Sequence, residues 1–293
     1  MPGGGQVRAI RDRIRSVANT AKVTRAMELV AASKMRRAQD RAVQARPYAE
    51  TMRAVLSQLA GVAGGGEGGH PLLDVRPVRG IAYIHITADR GLAGGLNANM
   101  NRAGASLILE HQPTSERMSV LPVGRKGRDF FRRAGMQIIG DFPELGDFPN
   151  FEDVRPIARI VMDDFIAGNV DQVFIGFQRF VNAGQQRPTI RQLLPIVAPE
   201  GAETHPVDFI FEPSPERLLE TLLPRFVEMQ VYEAVLEARA SEQSARMVAM
   251  HQATDAAGDM VSDLTLAYNK ARQETITAEL LDIVGGTAAI ENG

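Results

Sequence analysis

The run from about Ser214 to Ile290 constrains this chain more than any other stretch, because it reads as one very long helix. Ser214 can cap it. Pro215 falls at the first helical position, where a missing N–H costs nothing, and Glu216 suits the positive end of the helix dipole. Pro224 predicts a kink, and no strong stop follows before Gly285-Gly286. At about 1.5 Å per residue such a helix reaches roughly 110 Å, far more than a compact domain of this chain's size can cover. It must leave its own domain and be covered by something else.

Its middle suggests the cover. Met250, Ala253, Ala257, Met260, Leu264, Ala267 and Ala271 follow a 3,4 step, the spacing of a coiled-coil seam, and their small side chains imply close backbone approach. The seam is too poor in Leu and Ile to favour an isolated homodimer. An ordinary bundle helix is the plainer alternative.

A second long helix is expected from residue 6 to about 59. Val7, Ile10, Ile14, Val17, Ala21 and Thr24 keep the same step. The stripe then slips and resumes through Met27, Ala31, Met35, Ala38, Ala42 and Ala45, a pattern that reads as a stutter. Pro47 is expected to kink or divide this helix. Two seams at opposite ends of one chain predict a long antiparallel coiled coil of the N- and C-terminal helices.

The N-terminal helix is also basic. Eleven cations between Arg8 and Arg46 stand against Asp12, Glu28 and Asp40, a net of +8. A solvated face, an acidic protein partner and nucleic acid all remain open, although no aromatic interleaving or base-reading motif supports the last.

Between the helices the period changes. Six glycines within Gly61–Gly69 mark a linker, assigned to residues 61–77. Strands are expected at Gly80–Thr87, Met118–Val123, Val173–Val181 and Thr189–Val197. Helices are expected from Leu96 to Glu110, from Gly124 to near Gly135, and from Glu152 to Ala167. The last carries Ile157, Ile160, Val161, Phe165 and Ile166 as its buried stripe. Strands alternating with helices predict an α/β domain on a partly parallel, Rossmann-like sheet. The resulting division is 1–60 N-terminal helix, 61–77 linker, 78–205 α/β domain and 206–293 C-terminal helix.

Chemistry is scarce. The chain has no Cys, which removes disulfides, thiol nucleophiles and Cys-ligated metals. Its five His residues lack i,i+3 or i,i+4 spacing, so no metal site is expected. No G-x-x-x-x-G-K-[ST] or G-x-S-x-G occurs. The glycines of Gly91–Asn97 read as a tight strand-to-helix turn. Gly124-Arg125-Lys126-Gly127 reads as a solvated turn in preference to an anion site at a helix start. These absences point to mechanical or binding work, with no catalytic site and no cofactor. No stretch approaches the ~20 apolar residues of a membrane span, and no apolar leader opens the sequence, so a cytoplasmic protein is the simplest expectation.

Three blocks give the chain a family resemblance. The first is Ile10-Arg11-Asp12-Arg13-Ile14-Arg15-Ser16-Val17-Ala18-Asn19-Thr20, continuing through Ala26-Met27-Glu28-Leu29-Val30-Ala31-Ala32-Ser33-Lys34-Met35. The second is Asp89-Arg90-Gly91-Leu92-Ala93-Gly94-Gly95-Leu96-Asn97. The third runs from Ala245-Arg246-Met247-Val248-Ala249-Met250 to Tyr268-Asn269-Lys270-Ala271-Arg272-Gln273. In this order they resemble the gamma subunit of F-type ATP synthase over essentially the whole chain.

The resemblance implies a central-stalk rotor that couples c-ring rotation, driven by proton or sodium flow, to ATP synthesis or hydrolysis at the beta subunits. It implies three alpha and three beta subunits around one copy, with epsilon and the c-ring below. Membrane association would run only through the c-ring, on the cytoplasmic face of a bacterial membrane. It further implies that Arg272, Gln273, Thr277, Glu279 and Met27 contact beta, and that Glu212 lies on the c-ring side. The absence of a Cys-containing insertion departs from the thiol-regulated chloroplast type. The competing readings are a basic helical nucleic-acid-binding or scaffold protein, and a phosphate-binding α/β enzyme.

Overall fold

The computed structural model describes residues 3–63, 70–196 and 214–291. Two compact units divide the chain: Met1–Val30 with Met247–Gly293, and Ala31–Arg246.

The larger unit is built on five strands in the order β3-β2-β1-β4-β5. β1 (Gly80–Ile86) is central and pairs in parallel with β2 (Arg117–Val123) and β4 (Gln172–Asn182). β3 (Gln137–Ile138) extends the parallel edge, and β5 (Gln185–Leu194) returns antiparallel to β4. All seven residues of β1 are buried, as an apolar strand covered on both faces should be. Ala82, Ile84 and Ile86 face one core with α4 (Phe151–Ile166), the lower part of α5 (Pro215–Glu291), and Met52 and Leu56 of α1 (Gly3–Ala63). Tyr83 faces the other, under Leu107 of α2 (Leu96–His111) and Phe131 of α3 (Arg125–Arg133). The expected mixed α/β sheet inserted between long terminal helices is therefore present.

Several local readings change. The return strand starts at Gln185, because Ala183-Gly184 suffices to reverse the chain. The stripe of α4 is Val154, Ile157, Ala158, Val161, Met162 and Phe165, while Ile166 is exposed and Ile160 only partly buried. The short strand β3 was not expected. α1 passes through Pro47, and α5 through Pro224 and Gly285-Gly286, without interruption. The Ser214 cap holds: its Oγ accepts from the Arg217 N–H at 3.4 Å. Residues 64–69 of the expected linker lie outside the described residues.

The smaller unit is an antiparallel helix pair. Arg11 donates to the Tyr268 hydroxyl at 2.9 Å, the Thr24 and Thr254 hydroxyls meet at 2.7 Å, and Glu28 contacts His251 at 3.3 Å. Partner numbers fall along α5 as they rise along α1. From Met250 on, the buried and half-buried residues of α5 are Met250, Ala253, Thr254, Ala257, Val261, Leu264, Tyr268, Ala271 and Thr275. The expected alternates Met260 and Ala267 are exposed, Met260 by 45%. On α1 the stripe keeps step through Glu28 instead of slipping. Its carboxylate fits there because Arg25, at 2.9 Å, and His251 satisfy it.

His85 is fully buried under both α2 and α3. Its Nε2 meets Asn101 Oδ1 at 2.9 Å and its Nδ1 meets the Tyr83 hydroxyl at 3.0 Å. The Asn101 oxygen can only accept, so Nε2 carries the proton and Tyr83 donates to Nδ1. α3 comes this close because position 127 is glycine: a Cβ there would sit 2.4 Å from His85 Cδ2.

Burial pushes His85 down to about 4, against the opposing pull of Asn101. An ordinary His titrates near 6.5, so the neutral ring contributes its full stability above that pH and loses it as pH falls toward 4. About 3 kcal/mol is at stake over this window. His85→Gln should flatten the fall in urea-unfolding stability between pH 6.5 and 4; an unchanged slope would contradict the assignment. Along the seam, Val261→Ser should speed hydrogen exchange of the surrounding α5 amides at least tenfold, while Met260→Ser leaves it nearly unchanged.

Candidate functional site

The turn after β1 is closed by its own side chains. Asn97 Oδ1 accepts from the Ala88 N–H at 3.0 Å, and Leu92 and Gly94 adopt positive φ of 61° and 55°. Position 94 needs that freedom, because the left-handed region suits glycine. The first turn of α3 is met from the same segment. Asp89 Oδ1 accepts from the Arg125 N–H at 3.0 Å, the Ala88 carbonyl from Lys126 at 3.2 Å, and Thr87 Oγ1 from Gly127 at 2.8 Å. The anion-favouring helix start at Gly124–Gly127 is thus occupied by an internal carboxylate. The glycines of 91–97 do steric work, in line with the turn reading.

α5 crosses this loop with an unusual run of buried polar residues: Arg239, Ser241, Glu242, Gln243 and Ser244. Each finds a partner on the sheet side or along the helix. Arg239 Nη2 reaches Asp89 Oδ2 at 3.4 Å, and its Nη1 reaches Glu242 Oε2 at 2.8 Å. Arg246 binds Glu242 Oε1 at 2.8 Å and donates to the Gly91 carbonyl at 3.3 Å. Ser241 donates to the Gln178 carbonyl at 2.8 Å, and Gln178 in turn donates to the Leu96 carbonyl at 2.8 Å. Ser244 donates to the Ala183 carbonyl at 2.6 Å in the β4–β5 turn. Gln243 and Lys34 both reach Asp147, at 3.4 and 2.7 Å. One turn lower, burial pushes the Glu237 carboxyl up, against the pull of Arg179 and Arg191.

These contacts make a polar joint between α5 and the loops at the ends of β1 and β4. Hydrogen bonds have direction, so such a joint fixes rotation as well as position, which a purely apolar face does poorly. Sequence reasoning found Asp89 and Arg246 only as parts of family blocks and gave Arg239 and Glu242 no role. Four consecutive polar residues, Ser241 to Ser244, are the one available signal: at 3.6 residues per turn they ring the whole helix, so in a stretch that packs on a domain some of them must be buried and paired.

The residues singled out for beta contact fall elsewhere. Arg272, Gln273, Thr277 and Glu279 are all exposed on α5, beyond the buried Ala271, and Met27 is half-buried on α1. Among the described residues the four α5 side chains make no hydrogen bond or ion pair. Ile276, Leu280, Leu281, Ile283 and Val284 are exposed on the same stretch. Contiguous exposed apolar groups of this kind mark a contact surface. Glu212 lies outside the described residues. Several N-terminal cations are engaged within the chain: Arg11 with Tyr268, Arg25 with Glu28, Lys34 with Asp147, and Arg41 with the Phe148 carbonyl.

The chain thus combines an antiparallel pair of long helices with an α/β sheet domain whose own stretch of α5 is held by buried polar contacts. A family model described as ATP synthase matches residues 6–290. The ATP synthase gamma chain of Dehalococcoides mccartyi is 53% identical over 97% of this chain and 99% of its own. That of Roseiflexus castenholzii is 50% identical, over 97% and 98%. A chain of the Euglena gracilis mitochondrial ATP synthase, solved with its F1 part and c-ring, shares the fold. Its TM-score is 0.71 at 22% identity, covering 99% of this chain and 96% of that one. This chain belongs to the ATP synthase gamma family.

Asp89→Ala should cost about 3–5 kcal/mol in urea unfolding, because it leaves Arg239 and the start of α3 without their shared carboxylate. Asp129→Ala, which breaks solvent-exposed pairs with Arg128 and Arg132, should cost about 1 kcal/mol or less. Equal costs would show that the joint contributes no more than a surface pair.

Proposed function

We propose that this chain is the central-stalk rotor of an F-type ATP synthase, coupling c-ring rotation driven by proton or sodium flow to ATP synthesis or hydrolysis at the beta subunits. The observation that carries the reading is the upper part of α5. It has one side on a narrow seam and the rest exposed, with apolar and charged residues side by side. A ring of three alpha and three beta subunits is the cover such a helix requires. Residues 78–205 form the foot, on the c-ring beside epsilon, and residues 1–60 and 206–293 supply the shaft, with 61–77 as linker.

The chain contributes no catalytic site and binds no cofactor; nucleotide chemistry belongs to the ring. Among the described residues no group of three His, Cys, Asp or Glu could hold a metal ion. No helix among them is long and apolar enough to cross a membrane. On this reading, which the family membership supports, the chain is peripheral, on the cytoplasmic face of a bacterial membrane, attached through the c-ring. A nucleic-acid role is not favoured, since Arg11, Arg25, Lys34 and Arg41 are engaged within the chain and the relatives are ATP synthase gamma chains.

A rotor acts only through contacts that differ between ring states, because a contact equal in all of them shifts no equilibrium. Arg272, Gln273, Thr277 and Glu279 supply polar contacts to beta, and Met27 lies on the facing helix. Glu212 is the corresponding candidate on the c-ring side. Arg272→Leu with Gln273→Leu should weaken ring assembly or lower ATP-driven pumping at least threefold in inverted vesicles. Unchanged assembly and pumping in the double variant would remove these residues from the coupling surface.

A further inference from the structure

We infer that Arg239 is the positioning residue through which α5 and the sheet domain turn as one body, an inference that rests on the rotor reading above. Asp89 is fixed independently of α5. Its Oδ1 receives the backbone N–H groups of Arg125 and Glu144, at 3.0 and 3.1 Å, so it belongs to the sheet domain whatever the helix does. Glu242 is fixed independently of the sheet, by Arg246 at 2.8 Å within α5. Arg239 is the residue that bonds both carboxylates, one with each Nη, and its side chain is only 8% exposed. A planar guanidinium that spans two anchored carboxylates resists rotation in its own plane, as a single point charge does not.

Gln243 reaches one carboxylate, Asp147, at 3.4 Å, and lower on α5, outside the joint, Glu228 pairs with Arg155 of α4 at 3.3 Å. The remaining polar contacts of the joint are of a different kind. Ser241 and Ser244 donate to backbone carbonyls through freely rotating hydroxyls. Arg246 reaches the loop through one neutral carbonyl at 3.3 Å. Each can shift by a fraction of an ångström and persist. Arg239 also lies where α5 leaves the apolar core: Val235 and Ala238 below it pack against the sheet, and Arg246 is the last residue of the larger unit. α5 continues unbroken past that point. On this inference the apolar stretch below supplies the grip on the sheet domain and Arg239 fixes the angle at its upper end, where the helix continues.

Loss of Arg239 leaves the Asp89 loop closed on α3 and leaves Glu242 paired with Arg246. The chain therefore folds and assembles, while the angular lock loosens. The test measures ATP hydrolysis and ATP-driven ion pumping in vesicles holding the whole complex, with wild-type chain, Arg239→Gln and Arg239→Lys. The expected result is a pumping-to-hydrolysis ratio at least twofold lower for Gln, with hydrolysis retained, and an intermediate ratio for Lys, which keeps the charge but lacks the rigid planar fork. A merely structural role would lower complex yield or both activities together and leave the ratio unchanged, which would overturn the inference. Should the Gln complex fail to assemble, a wild-type ratio in the Lys complex overturns it equally. Absence of coupled pumping in the wild-type complex would instead overturn the rotor reading itself.

Discussion

A helix of 77 residues satisfies its own backbone, but its hydrogen bonds do not determine where it sits or which way it faces. Side-chain burial does that here, by three means in succession. From Leu219 to Ala238 the helix presents apolar residues to the sheet and α4. From Arg239 to Arg246 it is held by charge and hydrogen bonds. From Met250 to Thr275 it keeps a narrow line of small and medium side chains against α1. Each means suits its place. Apolar packing contributes most of the stability, polar bonds contribute direction, and small residues permit a slim pair of helices.

Charge burial in the joint is tolerable only because every charge is shared. Asp89 serves two backbone N–H groups and Arg239, while Glu242 serves Arg239 and Arg246. A buried ion pair is weak support for stability by itself, and an apolar replacement of the same shape often does as well. Its use is specificity. On the rotor reading proposed above, a fixed angle between helix and domain has functional worth that a few kcal/mol of packing would not supply.

Much of this was legible in the sequence, and the misses have physical causes. The 3,4 rule found both long helices and the correct a-type positions Met250, Ala257, Leu264 and Ala271. It chose Met260 and Ala267 where Val261 and Tyr268 line the seam, and it took Ala253 without the equally half-buried Thr254, because two heptad frames share those four positions and the apolar residues fit the other one better. The apparent slip near Thr24 arose from skipping Glu28, whose partners Arg25 and His251 cannot be read from α1 alone. Pro47 does not divide α1 and Gly285-Gly286 does not stop α5, because local breakers yield when the rest of a long helix persists. The polar joint was hidden because its partners lie up to 155 residues apart in the chain. The partly parallel sheet and the glycine turn were legible from the change of period and the strand–helix alternation, whereas the strand order and the short β3 were not.

The most direct test of the account is native mass spectrometry of the complex recovered on a tag fused to this chain. A particle with three alpha subunits, three beta subunits and one copy of this chain is the predicted result, since only a single asymmetric shaft can present a different face to each beta subunit. Recovery of the chain alone, or bound to nucleic acid, would contradict the rotor assignment and make the basic face of α1 the feature that demands explanation.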